Sequence, residues 1–250
     1  MKSSPKKLTA EVERENARLR GDLLTLSRRF SHDLRTPLGG IVSAAEAIKE
    51  VLTTHDPSAV SLADSLLTAS DEMSQLIKQV SFVARASATP LPKTAVHMAD
   101  AVFPALQRLE SRIYRGQAVV IEPQSWPVVP GVVGWLEMIW WQLVLNALKH
   151  AGTKPRIELG WETRRDFLRF WIRDNGPGVP EAMRGKLFKE FDSLHAEQSV
   201  PGLGLSIVQR LVDLQGGGCG HEKPEQGGAC FFFTLPTESS PISGEDSAAR

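Results

Sequence analysis

The sequence predicts a helical hairpin, which pairs into a dimeric four-helix bundle, followed by an α/β sandwich. Two long stretches carry apolar residues every three or four positions and are joined by a short polar turn at 53–58. A linker containing two prolines follows at 87–92. Beyond it, strand-like runs are mixed with helical stretches, a pattern typical of helices packed on one face of a sheet.

The first long stretch combines an apolar stripe with one unusual histidine. The stripe consists of Phe30, Leu34, Leu38, Ile41, Ala45, Ile48 and Leu52, a spacing that buries one face of a helix. His32 lies about 200° around the helix from Phe30, so we expect its imidazole to point to water. Thr36 shares that face one turn along. An imidazole held there beside a carboxylate can accept a chemical group, although a single solvated histidine more often has no function.

A second amphipathic helix follows the turn. Its apolar positions are Leu62, Leu66, Ala69, Met73, Leu76, Val80 and Val83. Each stripe is narrow, and a hairpin alone would leave much of it in water. We therefore expect a homodimer through residues 25–87, with His32 on the outside of the bundle. Pro37 is expected to kink the first helix because it removes a backbone donor.

Composition limits the function. The chain has 250 residues, 42% of them hydrophobic, and a formal net charge of zero, which argues against a nucleic-acid binder. Cys219 and Cys230 are too few for a disulfide scaffold and are expected as free thiols, with cross-strand pairing as the alternative. Zinc binding with His221 lacks a fourth ligand. No apolar run is long enough to span a membrane, so we expect a cytoplasmic protein.

The remaining segments complete the expected domain organisation. Residues 1–24 are predicted to be a tail and a weakly heptad helical seam, which joins a partner helix or packs on its own domain. The second domain is expected at 93–236 and a disordered tail at 237–250. Within the second domain, helices are predicted at 98–114 and 132–151, and strands at 117–122, 156–163, 167–173, 217–222 and 229–235.

The second domain contains two stretches whose residue types suit a nucleotide. Asn146, Lys149 and His150 share roughly one face of a predicted helix, where an amide oxygen can ligate a hard cation and a lysine can neutralise phosphate. The alternative is a helix whose basic end complements its dipole. Asp174 ends a predicted strand and precedes Gly176 and Gly178, which allow close approach of a ligand, although Asn-Gly and Pro-Gly also make plain turns.

A third stretch opens a helix with two glycines. Gly202 and Gly204 would leave backbone N–H groups free at a helix N-terminus, which is favourable for phosphate. A lone Gly-x-Gly is weak, and a glycine cap explains it equally well. The chain has no P-loop run, and no Gly-x-Gly-x-x-Gly occurs there.

Taken in order, these motifs resemble those of sensor histidine kinases. The run 31–38, Ser-His-Asp-Leu-Arg-Thr-Pro-Leu, resembles the H-box of the HisKA-type dimerisation and phosphoacceptor domain. The stretches around Asn146, Asp174 and Gly202 resemble the N-, G1- and G2-boxes of the GHKL (Bergerat) ATP-binding fold. The run 187–191 resembles its F-box. The resemblance covers about residues 25–235.

The resemblance implies a role for each residue. His32 would be the phosphoacceptor, Asp33 would orient it, and Thr36 would place water for dephosphorylation of a partner. Asn146 would ligate Mg²⁺. The residues expected to bind ATP are Lys149 and His150 at phosphate, Asp174 at the adenine amine with Gly176 and Gly178 shaping its pocket, and Gly202 and Gly204 anchoring a lid at about 181–201. The implied partner is the receiver domain of a response regulator, with the stimulus arriving from a separate sensor protein or through the region before His32.

Two departures from the family pattern leave a rival interpretation open. Gln142 stands where the family usually has Asn, and Val200-Pro201 replaces a more flexible approach to Gly202. Both changes can weaken metal positioning or lid motion. The alternative is therefore a catalytically weak or degenerate member that acts as a dimeric scaffold, a kinase inhibitor or a response-regulator phosphatase.

Overall fold

The computed structural model describes residues 5–52, 57–89, 91–185, 187–188 and 204–237. The chain divides into two units, Met1–Pro90 and Leu91–Arg250. The first is helical and the second combines helices with a sheet, so the predicted fold class is confirmed. The finer boundaries at 25–87 and 93–236 stay predictions. None of the described helices is both long enough and apolar enough to cross a membrane.

The first unit is a hairpin of helices α1 (Pro5–Leu52) and α2 (Pro57–Ala88). Helix α1 includes Pro37, and α2 begins at a proline, whose missing N–H costs nothing in a first turn. The two helices meet through small side chains. The hydroxyl of Ser31 pairs with that of Ser81 and also donates to the backbone oxygen of Ser27 at 2.6 Å. These buried hydroxyl groups are therefore satisfied within the hairpin.

The apolar stripes of the hairpin are only partly buried in the single chain. Leu38 and Ala45 are buried, whereas Leu34, Ile41 and Ile48 stay 40% to 43% exposed. The exposed positions of α2, between 39% and 64%, are Leu62, Leu66, Met73, Leu76 and Val80. The stripe predicted as one buried face is thus divided: one part packs within the hairpin and the other faces outwards.

The second unit is built on a five-stranded sheet with the order β2-β4-β5-β7-β6. Its strands are β2 (Val119–Ile121), β4 (Arg156–Arg164), β5 (Phe167–Asp174), β6 (Gly218–Glu222) and β7 (Ala229–Pro236). Only β2 and β4 pair in parallel; the other neighbours are antiparallel. A separate two-stranded sheet joins β1 (Thr94–His97) to β3 (Val128–Gly131).

Helices α5 (Val133–His150) and α7 (Gly204–Asp213) pack on the large sheet, and α3 (Ala99–Gln107) packs on α5. Two short helices are α4 (Glu110–Arg115) and α6 (Glu181–Arg184). Trp140 of α5 is fully buried and meets the stacked rings of Phe170 and Phe233 edge-on, at 6.3 and 5.4 Å between centroids. This aromatic contact holds α5 against β5 and β7. It therefore fixes the position of the polar C-terminal end of α5 relative to the sheet.

One buried glutamine connects the end of α7 to the start of α5. Gln215 follows α7 and has no exposed surface. Its Oε1 accepts a hydrogen bond from the backbone N–H of Val132 at 3.0 Å, and its Nε2 donates to the carbonyl of Leu211 at 3.2 Å. Its own carbonyl accepts from Lys93 at 2.6 Å. A single side chain thus joins the end of α7 to the start of α5.

The predicted strands are all present, but two details differ from the prediction. The stretch 98–114 forms two helices because Leu109, between them, has φ −104° and ψ 0°, outside the helical region. The small β1–β3 sheet was not predicted, since β3 contains Pro130, which is tolerated only at an edge. Cys219 and Cys230 are free, as expected.

Candidate functional site

His32 lies on the exposed side of α1, as its spacing predicts. Its neighbour Ser31 is buried in the hairpin, whereas the side chain of His32, about 100° further around the helix, is exposed. Thr36 is also exposed, and its hydroxyl donates to the backbone carbonyl of His32 at 3.4 Å. The prediction for Asp33 concerns a side chain outside the described part of the chain.

The C-terminal half of α5 supplies the polar residues predicted from the Asn146 motif. Gln142 is buried, Asn146 is half-buried, and Lys149 and His150 are exposed in the last turn. Burial lowers the pKa of His150, and the positive charge of Lys149 lowers it further, whereas the charge of Asp174 acts to raise it. The amide oxygen of Asn146 and the ammonium group of Lys149 therefore lie in the C-terminal part of a mostly apolar helix.

Asp174 ends β5 and is buried. Its Oδ1 accepts hydrogen bonds from the backbone N–H groups of Gly176 at 2.9 Å and Ala229 at 3.3 Å. Burial raises the pKa of this carboxyl, although both hydrogen bonds and the nearby His150 and His221 lower it. Both of these hydrogen bonds use Oδ1, so Oδ2 is the oxygen that can accept from an exocyclic amine.

Glycines bring these elements into contact. A Cβ on Gly176 would collide with the backbone oxygen of His150, so only glycine lets the turn after β5 touch the end of α5. Gly178 has φ +80°, a left-handed conformation that other residues rarely adopt. The turn predicted as a pocket wall therefore lies against the Asn146 helix.

Helix α7 approaches the same region from the other side. It begins at Gly204, where an added Cβ would lie 2.7 Å from Oε1 of Gln142. The Nε2 of Gln142 is buried and has no hydrogen-bond partner in the part of the chain that the structure describes. The N-terminus of α7 thus packs against α5 one turn before Asn146. Gly202 lies outside the described residues, as do residues 186 and 189–201 of the predicted lid.

His221 also belongs to this region, although the sequence suggested it only as an incomplete zinc ligand. Burial lowers the pKa of His221, and the charge of Arg184 lowers it further. The charges of Asp174 and Glu222 act to raise it. The alternation of β6 could have placed its side chain on the inner face. The described residues contain no group of three or more His, Cys, Asp or Glu side chains able to hold a metal.

The residues present fit a Mg²⁺-bound nucleoside triphosphate. Gln142 offers a buried amide donor with no acceptor among the described residues, and Asp174 offers a buried carboxylate. Asn146 supplies an oxygen of the kind Mg²⁺ prefers. A site with one such protein ligand suits a Mg²⁺ ion that takes most of its other ligands from phosphates and water.

Comparisons with known proteins agree with this arrangement. Residues 21–89 match the model of the His Kinase A (phospho-acceptor) domain, and residues 131–239 match that of the histidine kinase-, DNA gyrase B-, and HSP90-like ATPase. A relative is the methanogenesis regulatory histidine kinase FilI of Methanothrix harundinacea, 28% identical over 230 residues. The match covers 91% of this chain but 26% of that relative, so the chain spans about a quarter of its length.

Two solved structures share the fold. Full-length ShkA in complex with AMPPNP has a TM-score of 0.63 and 24% identity, covering 87% of this chain and 47% of that one. The histidine kinase ThkA in complex with the response regulator protein TrrA has a TM-score of 0.61 and 21% identity, covering 95% and 68%. The chain therefore belongs to the histidine kinase family, of whose transmitter core it carries both the HisKA and the HATPase_c domain.

Proposed function

We propose that this chain is an ATP-dependent protein-histidine kinase of a two-component system. It phosphorylates its own His32 from Mg·ATP and passes the phosphoryl group to an aspartate of a response regulator. The observation that carries the proposal is the exposed imidazole of His32 within a phospho-acceptor domain. A separate unit of the same chain holds a buried acceptor and a buried donor that suit a nucleotide.

In the first step, a ring nitrogen of His32 attacks the γ-phosphorus of ATP. A new N–P bond forms, the bond to the β,γ-bridging oxygen breaks, and ADP leaves. Asp33, from its place next to His32, would orient the imidazole and take the proton of its other nitrogen. In the second step, a carboxylate oxygen of the response regulator attacks the phosphorus and releases neutral His32. Such transfers depend mainly on positioning and charge stabilisation.

The nucleotide would be held by the polar end of α5 and by the turn after β5. Oδ2 of Asp174 would accept a hydrogen bond from the adenine amine, with Gly176 and Gly178 forming the wall. Lys149 and His150 would contact phosphate, and Gly202 and Gly204 would anchor the lid. Asn146 would hold Mg²⁺, which neutralises the charge that develops on the phosphates when it is bound.

The outward-facing part of the hairpin stripes supports a homodimer. Leu34, Ile41 and Ile48 repeat every seven residues, and the exposed residues of α2 continue at four-three spacing. Such seams are buried when two hairpins form a four-helix bundle. His32 lies off these seams, so pairing would leave it accessible to ATP and to a partner.

The response regulator is the partner proposed for the phosphorylated chain. ThkA, which shares the fold, has been solved in complex with such a regulator. Thr36 is exposed one turn after His32 and could place water for dephosphorylation of that partner. Because ATP is the phosphoryl donor, we place the reaction in the cytoplasm.

Labelled ATP tests the proposal directly. The full chain incubated with [γ-³²P]ATP and Mg²⁺ should acquire a label that is stable to base and labile to acid, as expected for a phosphoramidate. His32→Ala should lose the label, whereas His97→Ala, which changes an exposed histidine of β1, should keep it. Absence of the label from the wild type, despite nucleotide binding, would contradict the kinase proposal.

The second candidate is a weak or degenerate kinase that acts as a scaffold, an inhibitor or a phosphatase. The observation in its favour is Gln142, whose longer amide lies against Gly204 and whose Nε2 has no acceptor among the described residues. Such a protein would show little labelling and weak calorimetric ATP binding. If it were a phosphatase, Thr36→Ala would abolish dephosphorylation of the regulator, while His32→Ala would leave the scaffold role unchanged.

A further inference from the structure

Strand β6 carries a histidine on the core side of the sheet. His221 lies opposite Phe231 of β7, and the two ring centroids are 5.2 Å apart. Phe231 is buried, and Phe188 packs on it at 6.3 Å between centroids. Glu222, the next residue, is exposed. The imidazole of His221 is therefore on the side of the sheet that holds the candidate nucleotide site.

One nitrogen of this imidazole is notable. Nε2 of His221 is buried and makes no hydrogen bond to any residue that the structure describes. Buried polar atoms are nearly always satisfied, and leaving one unsatisfied lowers the stability of the fold. Packing against Phe231 explains the ring but not the nitrogen, since an apolar side chain would pack there without this cost.

His221 and Asp174 lie on either side of the same strand. Asp174 is opposite Ala229 of β7, and His221 is opposite Phe231, two residues further along. Each acts on the other electrostatically: Asp174 raises the pKa of His221, and His221 lowers that of Asp174. The other charged groups that act on His221 are Arg184 and Glu222.

We propose that His221 is a specificity-determining residue of the nucleotide site, whose Nε2–H donates a hydrogen bond to N1 of adenine. The proposal rests on the proposed function, in which Asp174 accepts from the neighbouring adenine amine. Adenine presents a donor and an acceptor side by side on this edge. Guanine presents the reverse, an oxygen and an N–H, so it would meet the carboxylate of Asp174 and the N–H of His221 with the wrong polarity.

Burial makes this pairing selective. A hydrogen bond shielded from water is stronger than an exposed one, and a mismatched base would leave two buried polar groups unpaired. Asp174 and His221 would thus recognise adenine by two separate contacts. Each contact can be removed on the protein or on the ligand.

Calorimetry with ADP and 1-deaza-ADP, in which a C–H replaces N1, tests the contact on the full chain with Mg²⁺. We expect the wild type to bind ADP about 3- to 10-fold more tightly than 1-deaza-ADP, the usual effect of one hydrogen bond. His221→Phe keeps an aromatic ring against Phe231 but removes the donor. The variant should bind ADP only as tightly as the wild type binds 1-deaza-ADP, and its affinity for 1-deaza-ADP should be unchanged. The ratio of its ADP affinity to its GDP affinity should be smaller than that of the wild type.

His97→Phe, an equivalent change on the exposed side of β1, should alter none of these affinities. If His221→Phe weakens ADP and 1-deaza-ADP equally, or weakens neither, the proposal is wrong and His221 has only a packing role. ADP binding by the wild type in that case leaves the proposed function intact. If the wild type binds no ADP at all, both the proposed function and the role of His221 fail.

Discussion

A Cβ added to Gly204 would lie 2.7 Å from Oε1 of Gln142, well inside van der Waals contact. A side chain at the first residue of α7 would therefore require the Gln142 amide or the helix itself to shift. The contact joins the two helices that carry the phosphate-binding candidates, and Gln142 is also one of the two departures from the family pattern.

Gly204→Ala should weaken ADP binding because the new methyl group pushes α7 away from α5. Forcing an extra carbon into a packed contact typically costs about 1–3 kcal/mol, so we expect affinity to fall about 10-fold by calorimetry. Adding Gln142→Asn, which shortens the amide by one methylene, should restore part of the loss. The control is Gly134→Ala, where a Cβ in α5 would meet nothing within 4 Å. Equal binding by Gly204→Ala and the control would show that this contact does not matter.

Asp174→Asn should raise the thermal stability of the protein and lower its affinity for ADP. Burial raises the pKa of Asp174, so the fold penalises the charged carboxylate. A carboxyl whose pKa is raised on folding contributes stability at low pH and loses it as the pH rises. The wild type carries this penalty at pH 7. The variant removes it, because its amide oxygen can still accept from Gly176 and Ala229.

We expect a Tm a few degrees above that of the wild type at pH 7, with the difference shrinking as pH falls towards about 4, near the ordinary carboxyl pKa. ADP affinity should fall at least about 10-fold, since an amide N–H would face the adenine amine. Asp100→Asn, at an exposed position of α3, serves as the control. A lower Tm at pH 7 for Asp174→Asn would contradict the assigned cost of the buried charge.

Gln215→Leu should destabilise the second unit without changing nucleotide contacts directly. It leaves the backbone N–H of Val132 without its acceptor, which costs about 2 kcal/mol. All six tryptophans lie in this unit, so fluorescence in urea measures its unfolding alone. Gln107→Leu, an exposed change, should be close to neutral. If the free energy of unfolding falls by less than about 0.5 kcal/mol, a water molecule replaces the glutamine oxygen as the acceptor.

Ile41→Asp should dissociate the proposed dimer. A charge placed in the outward-facing seam would be buried without a partner when two hairpins pair. Light scattering at micromolar concentration should give twice 27.4 kDa for the wild type and a single 27.4 kDa for the variant. Ser43→Asp, on the exposed surface of the same helix, should stay dimeric. A monomeric wild type would contradict the pairing itself.

The sequence predicts the parts of the fold whose cause is local. Helices α1, α2 and α5 follow from apolar periodicity, and β4, β5 and β7 from alternation. The exposure of His32 follows from its angle to Phe30 on the same helix. The position of Asp174 at a strand end follows from the glycines after it. In each case, a few neighbouring residues decide the outcome.

Contacts between distant residues could not be predicted in this way. The placement of His221 beside Asp174 depends on the register of β6 and β7, which no local pattern specifies. The burial of Gln142 depends on how closely α7 approaches α5. The junction at Gln215 brings together residues 83 positions apart. The assigned roles of the catalytic and binding residues stay predictions until they are measured.

The contact between α1 and α2 has a consequence for how the chain melts. Among the described side chains it is filled mainly by small ones, such as Ala45, Ala63 and Ala84, while most of the larger apolar groups face outwards. A hairpin packed in this way would gain much of its stability from the proposed second copy. Its melting temperature should therefore rise with protein concentration, whereas that of the tryptophan-containing unit should not. Dilution alone would then separate one thermal transition into two.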